Sequence, residues 1–322
     1  MGLGLLLWIN GCTQNYDVGN NLKDSFSPKV VVNSVICPDS LIRVKCYWSR
    51  RYDDAGGFRA VESFSGELLE DGKRVAAFDN ASEEVLIDYR PVAGRKYGLT
   101  INVPDYGMVT ASTYIPLLPT AVISFKESRR EFLWYHHFNV SAISQQEPGR
   151  AVWIICYEEY DDGSALSRSS ELYCNNVFID QINGVRDDMD VIARGSNIGY
   201  EKFIRITSKN IDMASDISFS IWASPGYTDY SDWEDPQYDE NGYPIYKYVY
   251  LKYLYVNVIA PSDDYDKYYR SLYKQELYNY DPDMPLFDET VNVYSNIENG
   301  LGIFAGYSAT TYAHKYEMEE TE

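Results

Sequence analysis

A chain of 322 residues with 48 Asp and Glu against 28 Lys and Arg carries a formal charge of −20. Such a surface repels phosphate backbones and anionic headgroups, which excludes nucleic acid binding and peripheral membrane adhesion for the folded part. Three histidines, with no HExxH, Walker or Rossmann pattern, leave no catalytic set, metal site or cofactor to name, whereas 31 tyrosines are a marked excess suited to recognition or aromatic packing.

The chain opens with a short apolar run, Leu5 to Ile9, too short to span a bilayer, followed by Asn10, Gly11 and Cys12. Residues 1–11 read as a signal peptide. The stretch Ile9-Asn10-Gly11-Cys12 resembles a lipobox, in which cleavage leaves Cys12 as the lipid-bearing first residue of the mature chain. Attachment to the membrane is then through the lipid alone. Residues 12–28 lack an apolar period and read as a flexible tether.

From Lys29 the chain reads as short strands divided by turns. Lys29 to Cys37 and Ser40 to Trp48 are β-branched runs joined at Pro38-Asp39, and Asp71-Gly72 is the strongest short hairpin signal in the chain. Val85 to Tyr89, Tyr97 to Val103 and Val109 to Ile115 bring the count to about seven strands within ninety residues. That density predicts an antiparallel β-sandwich of immunoglobulin or transthyretin type over residues 29–116. Pro116 and Pro119 interrupt the pattern and set a domain boundary, since proline cannot donate to a ladder.

Residues 120–314 read as a second β-rich domain. Its strands are Ala121 to Lys126, Trp134 to Ser144, Val152 to Tyr160, Glu171 to Ile179, Phe203 to Ser208, Ile217 to Ala223 and Ile245 to Ile259, with a further strand at Thr290 to Tyr294. A helix over 262–278 is capped by Ser262, led by Asp263 and Asp264, and striped by Tyr265, Tyr268, Tyr269, Leu272 and Tyr273. Cys156 and Cys174 flank Asp161-Asp162-Gly163-Ser164, and two readings stand: a disulfide across one hairpin, or two buried thiols.

Fifteen of the tyrosines fall between Tyr227 and Tyr280. Within a ribbon spanning 227–250, the candidate contact residues are Tyr227, Tyr230, Trp233, Tyr238, Tyr243, Tyr246, Tyr248 and Tyr250. In a regular strand Tyr246, Tyr248 and Tyr250 share one face with Leu254, Val256 and Val258. The neighbouring Asp229, Asp232, Glu234, Asp235 and Asp239 lack the EF-hand register and read as a solvated acidic loop. Near the end, Gly300, Gly302 and Gly306 fall on one face of an extended segment and let its backbone approach a neighbour closely, while Leu301, Ile303 and Ala305 fill the opposite face.

Val30 to Ser34, Cys37 to Val44, the Asp71-Gly72 hairpin, Tyr268 to Leu272 and the closing stretch Asn296 to Tyr307 together resemble the DUF4249 lipoproteins of Bacteroidetes over Lys29 to Tyr307. Asn299 stands where that pattern carries glycine. The resemblance implies an outer-membrane lipoprotein, on the periplasmic or cell-surface side, that accompanies a TonB-dependent transporter; it supplies no catalytic residue. The expected function is a non-enzymatic accessory binding subunit for nutrient uptake, its ligand named by no residue. A surface adhesin and a glycan hydrolase are the alternatives, the latter requiring paired carboxylates in a groove that no spacing here implies.

Overall fold

The computed structural model describes residues 26–51, 57–130, 133–144, 150–167, 173–174, 204–206, 216–223, 226–229, 237–245, 247–280 and 292–316. The protein is mainly β with one helix near its C-terminus among these residues. In the N-terminal half the strands are β1 (Val30–Ile36), β2 (Ile42–Trp48), β3 (Arg59–Ala60), β4 (Phe64–Glu70), β5 (Lys73–Ala81), β6 (Glu84–Ile87), β7 (Arg95–Val103) and β8 (Gly107–Ile115). There follow β9 (Thr120–Arg130), β10 (Leu133–Ser144), β11 (Val152–Tyr160), β12 (Ala165–Ser167), β13 (Tyr173–Cys174), β14 (Ile204–Ile206), β15 (Asp216–Ala223) and β16 (Gly226–Asp229). The chain closes with β17 (Gln237–Tyr238), β18 (Pro244–Ile245), β19 (Lys247–Pro261), helix α1 (Asp263–Tyr280) and β20 (Leu301–Lys315).

Local signals explain much of this. Asp71 and Gly72 both adopt positive φ, 47° and 79°, the twist that a two-residue hairpin between β4 and β5 requires. Asp71 reinforces the turn: its carboxylate accepts from the Lys96 N–H at 3.1 Å and from Arg95 at 2.8 Å, and these contacts hold its pKa below the ordinary value. At the helix start, Ser262 Oγ accepts the Tyr265 N–H at 3.1 Å, and three aspartates occupy the first turn.

A ten-stranded sheet runs through both halves of the chain in the order β12-β11-β19-β20-β1-β2-β3, with β14, β16 and β6 pairing at its sides. The join is β20. Its first part, Leu301 to Gly306, pairs parallel with β1, and its second, Tyr307 to Lys315, pairs antiparallel with β19. Two four-stranded sheets, β5-β4-β7-β8 and β13-β15-β10-β9, accompany it. Phe304 of β20 lies in the core formed with β1, β2, β4 and β7, and Tyr312 packs on the core formed with β9, β11 and β19. Because 304 and 312 have the same parity on one strand, both cores lie on the same face of the large sheet. On the opposite face, Trp153, Ile155, Ile259, Ile303 and Ala305 pack under Tyr265 of α1.

The glycines of the closing segment serve the close approach expected of them. A Cβ at Gly302, where φ is +100°, would run into the backbone of Val32 on β1. At Gly306 it would lie 2.8 Å from the Tyr114 carbonyl oxygen of β8, and at Gly300 2.9 Å from that of Val30. Asn296 anchors the same segment, accepting from the Phe304 N–H at 3.0 Å and donating to the Phe304 carbonyl at 2.7 Å. Asn299 has φ +55°, a left-handed position that glycine occupies freely and asparagine tolerates.

Three sequence expectations are corrected. First, Tyr248 and Tyr250 do not share a face with Leu254, Val256 and Val258: the β11–β19 register shifts between Glu159/Tyr253 and Tyr160/Leu251, and this irregularity reverses the face. Val249 and Leu251 are buried instead, and Tyr248 and Tyr250 point the other way. Second, residues 292–294 form no strand; the Tyr294 N–H donates to Ser271 Oγ at 2.7 Å and its hydroxyl to Asp264 at 2.8 Å, tying the segment to α1 rather than to a ladder. Third, Cys156 and Cys174 do not oppose each other on one hairpin. β11 turns back through β12, whereas β13 pairs with β15 in another sheet. Cys37, Cys46 and Cys156 are buried thiols, and desolvation pushes the Cys46 pKa up to about 12.

Candidate functional site

The face of the large sheet that carries α1 is only partly covered, and what it leaves open is aromatic. The alternation from Tyr253 to Val258 buries Leu254, Val256 and Val258, so Tyr253, Tyr255 and Asn257 point to the helix side. On the neighbouring strand the same logic buries Cys156 and Glu158 and turns Ile155, Tyr157 and Glu159 toward that side. Tyr157 and Tyr255 are direct cross-strand partners with rings stacked at 4.7 Å and 19°. Tyr253 lies 5.6 Å from Tyr255, and beyond the register shift Tyr248 and Tyr250 continue the row with centroids 4.7 Å apart. Tyr248 and Tyr250 are each 38% exposed.

At the other end the row meets a cavity of about 460 Å³. Ile155, Tyr157, Asn257 and Thr311 come from the sheet, Tyr265 from α1, and Cys37 and Asp39 from the turn after β1. Tyr265 and Tyr307 face each other with centroids 5.4 Å apart. Burial, aided by Cys37, raises the Tyr307 pKa. Tyr255 is pushed up to about 12 by desolvation and by its 2.9 Å hydrogen bond to Glu159, so both phenols keep their protons at neutral pH.

Helix α1 is held over this face by a largely enclosed ion pair, its side chains 13% and 15% exposed. Arg205 grips Asp266 with two hydrogen bonds of 2.7 and 2.9 Å, and Trp153 Nε1 donates to the same carboxylate at 2.9 Å. The bidentate geometry fixes the helix orientation as well as its position.

Of the residues singled out in the ribbon, Tyr238, Tyr243, Tyr248 and Tyr250 are exposed, Tyr238 by 62% and Tyr243 by 70%. Tyr227 lies in β16, paired with Val249. Tyr230, Trp233, Tyr246 and Cys12, the residue expected to carry a lipid, lie outside the described residues, as do Asp232, Glu234 and Asp235. Asp239 has a local role: its carboxylate accepts the N–H groups of Asn241 and Tyr243, both at 2.8 Å, closing the β17–β18 turn and lowering its own pKa. His314 stacks on Phe125 at 4.7 Å. Among the described residues no group of His, Cys, Asp and Glu is arranged to hold a metal ion, and no helix is long and apolar enough to cross a membrane.

Tyr157, Tyr253 and Tyr255 were missed as surface residues, although the alternation Tyr253-Leu254-Tyr255-Val256-Asn257 already separates them from the core. Their alignment with Tyr157 depends on strand pairing, which one segment does not reveal.

The family described as "Domain of unknown function (DUF4249)" matches residues 15–313, and the chain belongs to that family. No curated protein matches it.

Proposed function

We propose that this DUF4249 protein is a non-enzymatic, lipid-anchored outer-membrane protein of a Bacteroidetes cell, an accessory binding subunit for a TonB-dependent transporter in nutrient uptake. The observation that carries the reading is the row of outward tyrosines at 248, 250, 253 and 255 on a sheet whose opposite face is packed. Tyrosine presents a rigid apolar area with a polar tip, and such residues dominate interface energetics where they cluster. Cys12 supplies the tether, and the segment up to β1 supplies reach. Each half is read as a sandwich, the N-terminal one of immunoglobulin or transthyretin type, and the shared β20 makes them one support for the tyrosine face.

The test is affinity capture of the tagged full chain from detergent-solubilised native membranes, with fatty-acid analogue labelling in the same cells. The wild type recovers a TonB-dependent barrel and carries the label. Tyr248→Ser with Tyr250→Ser lowers barrel recovery by about tenfold or more, corresponding to roughly 1.4 kcal/mol of lost contact energy. Cys12→Ser loses the label. Capture of no barrel by the wild type, or retention of the label after Cys12→Ser, contradicts the reading.

A further inference from the structure

We infer that the cavity bounded by Tyr157, Tyr265 and Tyr307, with Asn257 and Thr311 in its sheet wall, is a binding subsite for a neutral saccharide. This rests on the binding role proposed above and names the class of ligand. At about 460 Å³ the cavity falls within the range of about 300–1,000 Å³ common for small-molecule sites. Its aromatic walls offer faces to the C–H surface of a sugar ring, and its polar groups are of the kind that exchange hydrogen bonds with hydroxyls.

Three observations separate a sugar from other occupants. The lining residues include no Lys or Arg, and Asp39 stands exposed at the rim, so an anionic ligand finds no counter-charge there. Asn257 lines the cavity, and its amide oxygen is buried without a hydrogen-bond partner among the described residues, so the amide gains from turning toward a hydroxyl-bearing ligand. The amide's terminal torsion is soft, so a turn presents either its oxygen or its NH2 to the cavity. Finally, the cavity opens beside a trough in which the small residues Ala309, Thr311 and Ala313 of β20 lie opposite Ile259, Asn257 and Tyr255. A chain of sugars leaving the cavity along this trough runs beside the stacked Tyr157 and Tyr255 rings.

The experiment is calorimetric titration of the purified full chain with maltohexaose, cellohexaose, laminarihexaose, mannohexaose and xylohexaose, and with hexalysine as a charged contrast. At least one neutral hexasaccharide binds with Kd below about 1 mM. Tyr157→Ala weakens that binding by about tenfold or more, an effect on the order of one aromatic stacking contact. Thr311→Arg, at an exposed position where folding is retained, abolishes it by filling the trough. Failure of every neutral hexasaccharide to bind folded protein, binding of hexalysine alone, or sugar binding unchanged in both variants overturns the proposal. Barrel capture by the Thr311→Arg protein keeps the two readings apart: sugar binding lost with capture intact is the expected pattern, and absence of sugar binding from the wild type with capture intact sinks the saccharide site alone.

Discussion

Gly302→Ala lowers the stability of the chain by about 2–5 kcal/mol in a urea titration of the full protein. Two costs add. An L-residue forced to positive φ loses on the order of 1–2 kcal/mol, and a side chain driven into packed structure costs about 1–3 kcal/mol more. At Gly302 the new methyl meets the Val32 backbone, and the strand cannot retreat because Leu301 to Gly306 is paired residue by residue with β1 and its continuation, Tyr307 to Lys315, is fixed by β19. Gly72 provides the control. It has φ +79° but nothing within 4 Å of its would-be Cβ, so Gly72→Ala carries the conformational cost alone, about 1–2 kcal/mol. Against a typical total of about 5–15 kcal/mol, the Gly302 loss is a large share. Equal losses at the two positions would mean that β20 does not run against β1 as described.

Asp266→Ala is the second large effect, about 3–5 kcal/mol by the same measurement. The substitution leaves the Arg205 guanidinium, whose side chain is only 13% exposed, without its bidentate partner, and removes the acceptor of Trp153 Nε1. Breaking one side of a buried pair is costly because the remaining charge stays desolvated. Replacing both members, Asp266→Leu with Arg205→Met, recovers part of the loss, since the guanidinium of Arg205 is then removed with its partner, while Arg270, which lies 3.9 Å from Asp266 and is one-third exposed, keeps its charge in contact with water. The exposed Arg95–Asp71 pair gives the contrast: its 2.8 Å contact is as short, but water competes for both groups, and Arg95→Ala leaves the urea midpoint nearly unchanged. If Asp266→Ala costs no more than Arg95→Ala, the clamp between α1 and the sheet is absent. Loss of the clamp also displaces Tyr265 and opens the cavity it borders.

Features encoded by adjacent residues were legible in the sequence. Asp71-Gly72 specifies its turn through two left-handed residues, Ser262 specifies a helix start through one side chain, and the closing glycines announce close backbone contact. What escaped reading depends on partners distant in the chain. The register shift near Tyr253 changes which tyrosines point outward; its trace in the sequence is the switch of aliphatic residues from Val249 and Leu251 to Leu254, Val256 and Val258 across Lys252-Tyr253, which an evenly spaced reading of the tyrosines passes over. Arg205 meets Asp266 across 61 positions, and β20 reaches back to β1 at the other end of the chain. Periodicity tells which residues share a face within a regular strand, but it does not name the strand that lies beside it. The candidate site was legible in the same measure: Tyr248 and Tyr250 from local composition, Tyr157 and the cavity only from the assembled sheet.

The most direct measurement is photo-crosslinking in the native membrane from the tyrosine face itself. A benzoyl-phenylalanine replacing Tyr248 is compared with one replacing Arg74, an exposed residue of β5 in the small N-terminal sheet. Under illumination the position at 248 forms a covalent adduct with a TonB-dependent barrel, and the position at 74 forms none. Adducts from position 74 alone, or no adduct from position 248, would contradict the assignment of this face as the docking surface.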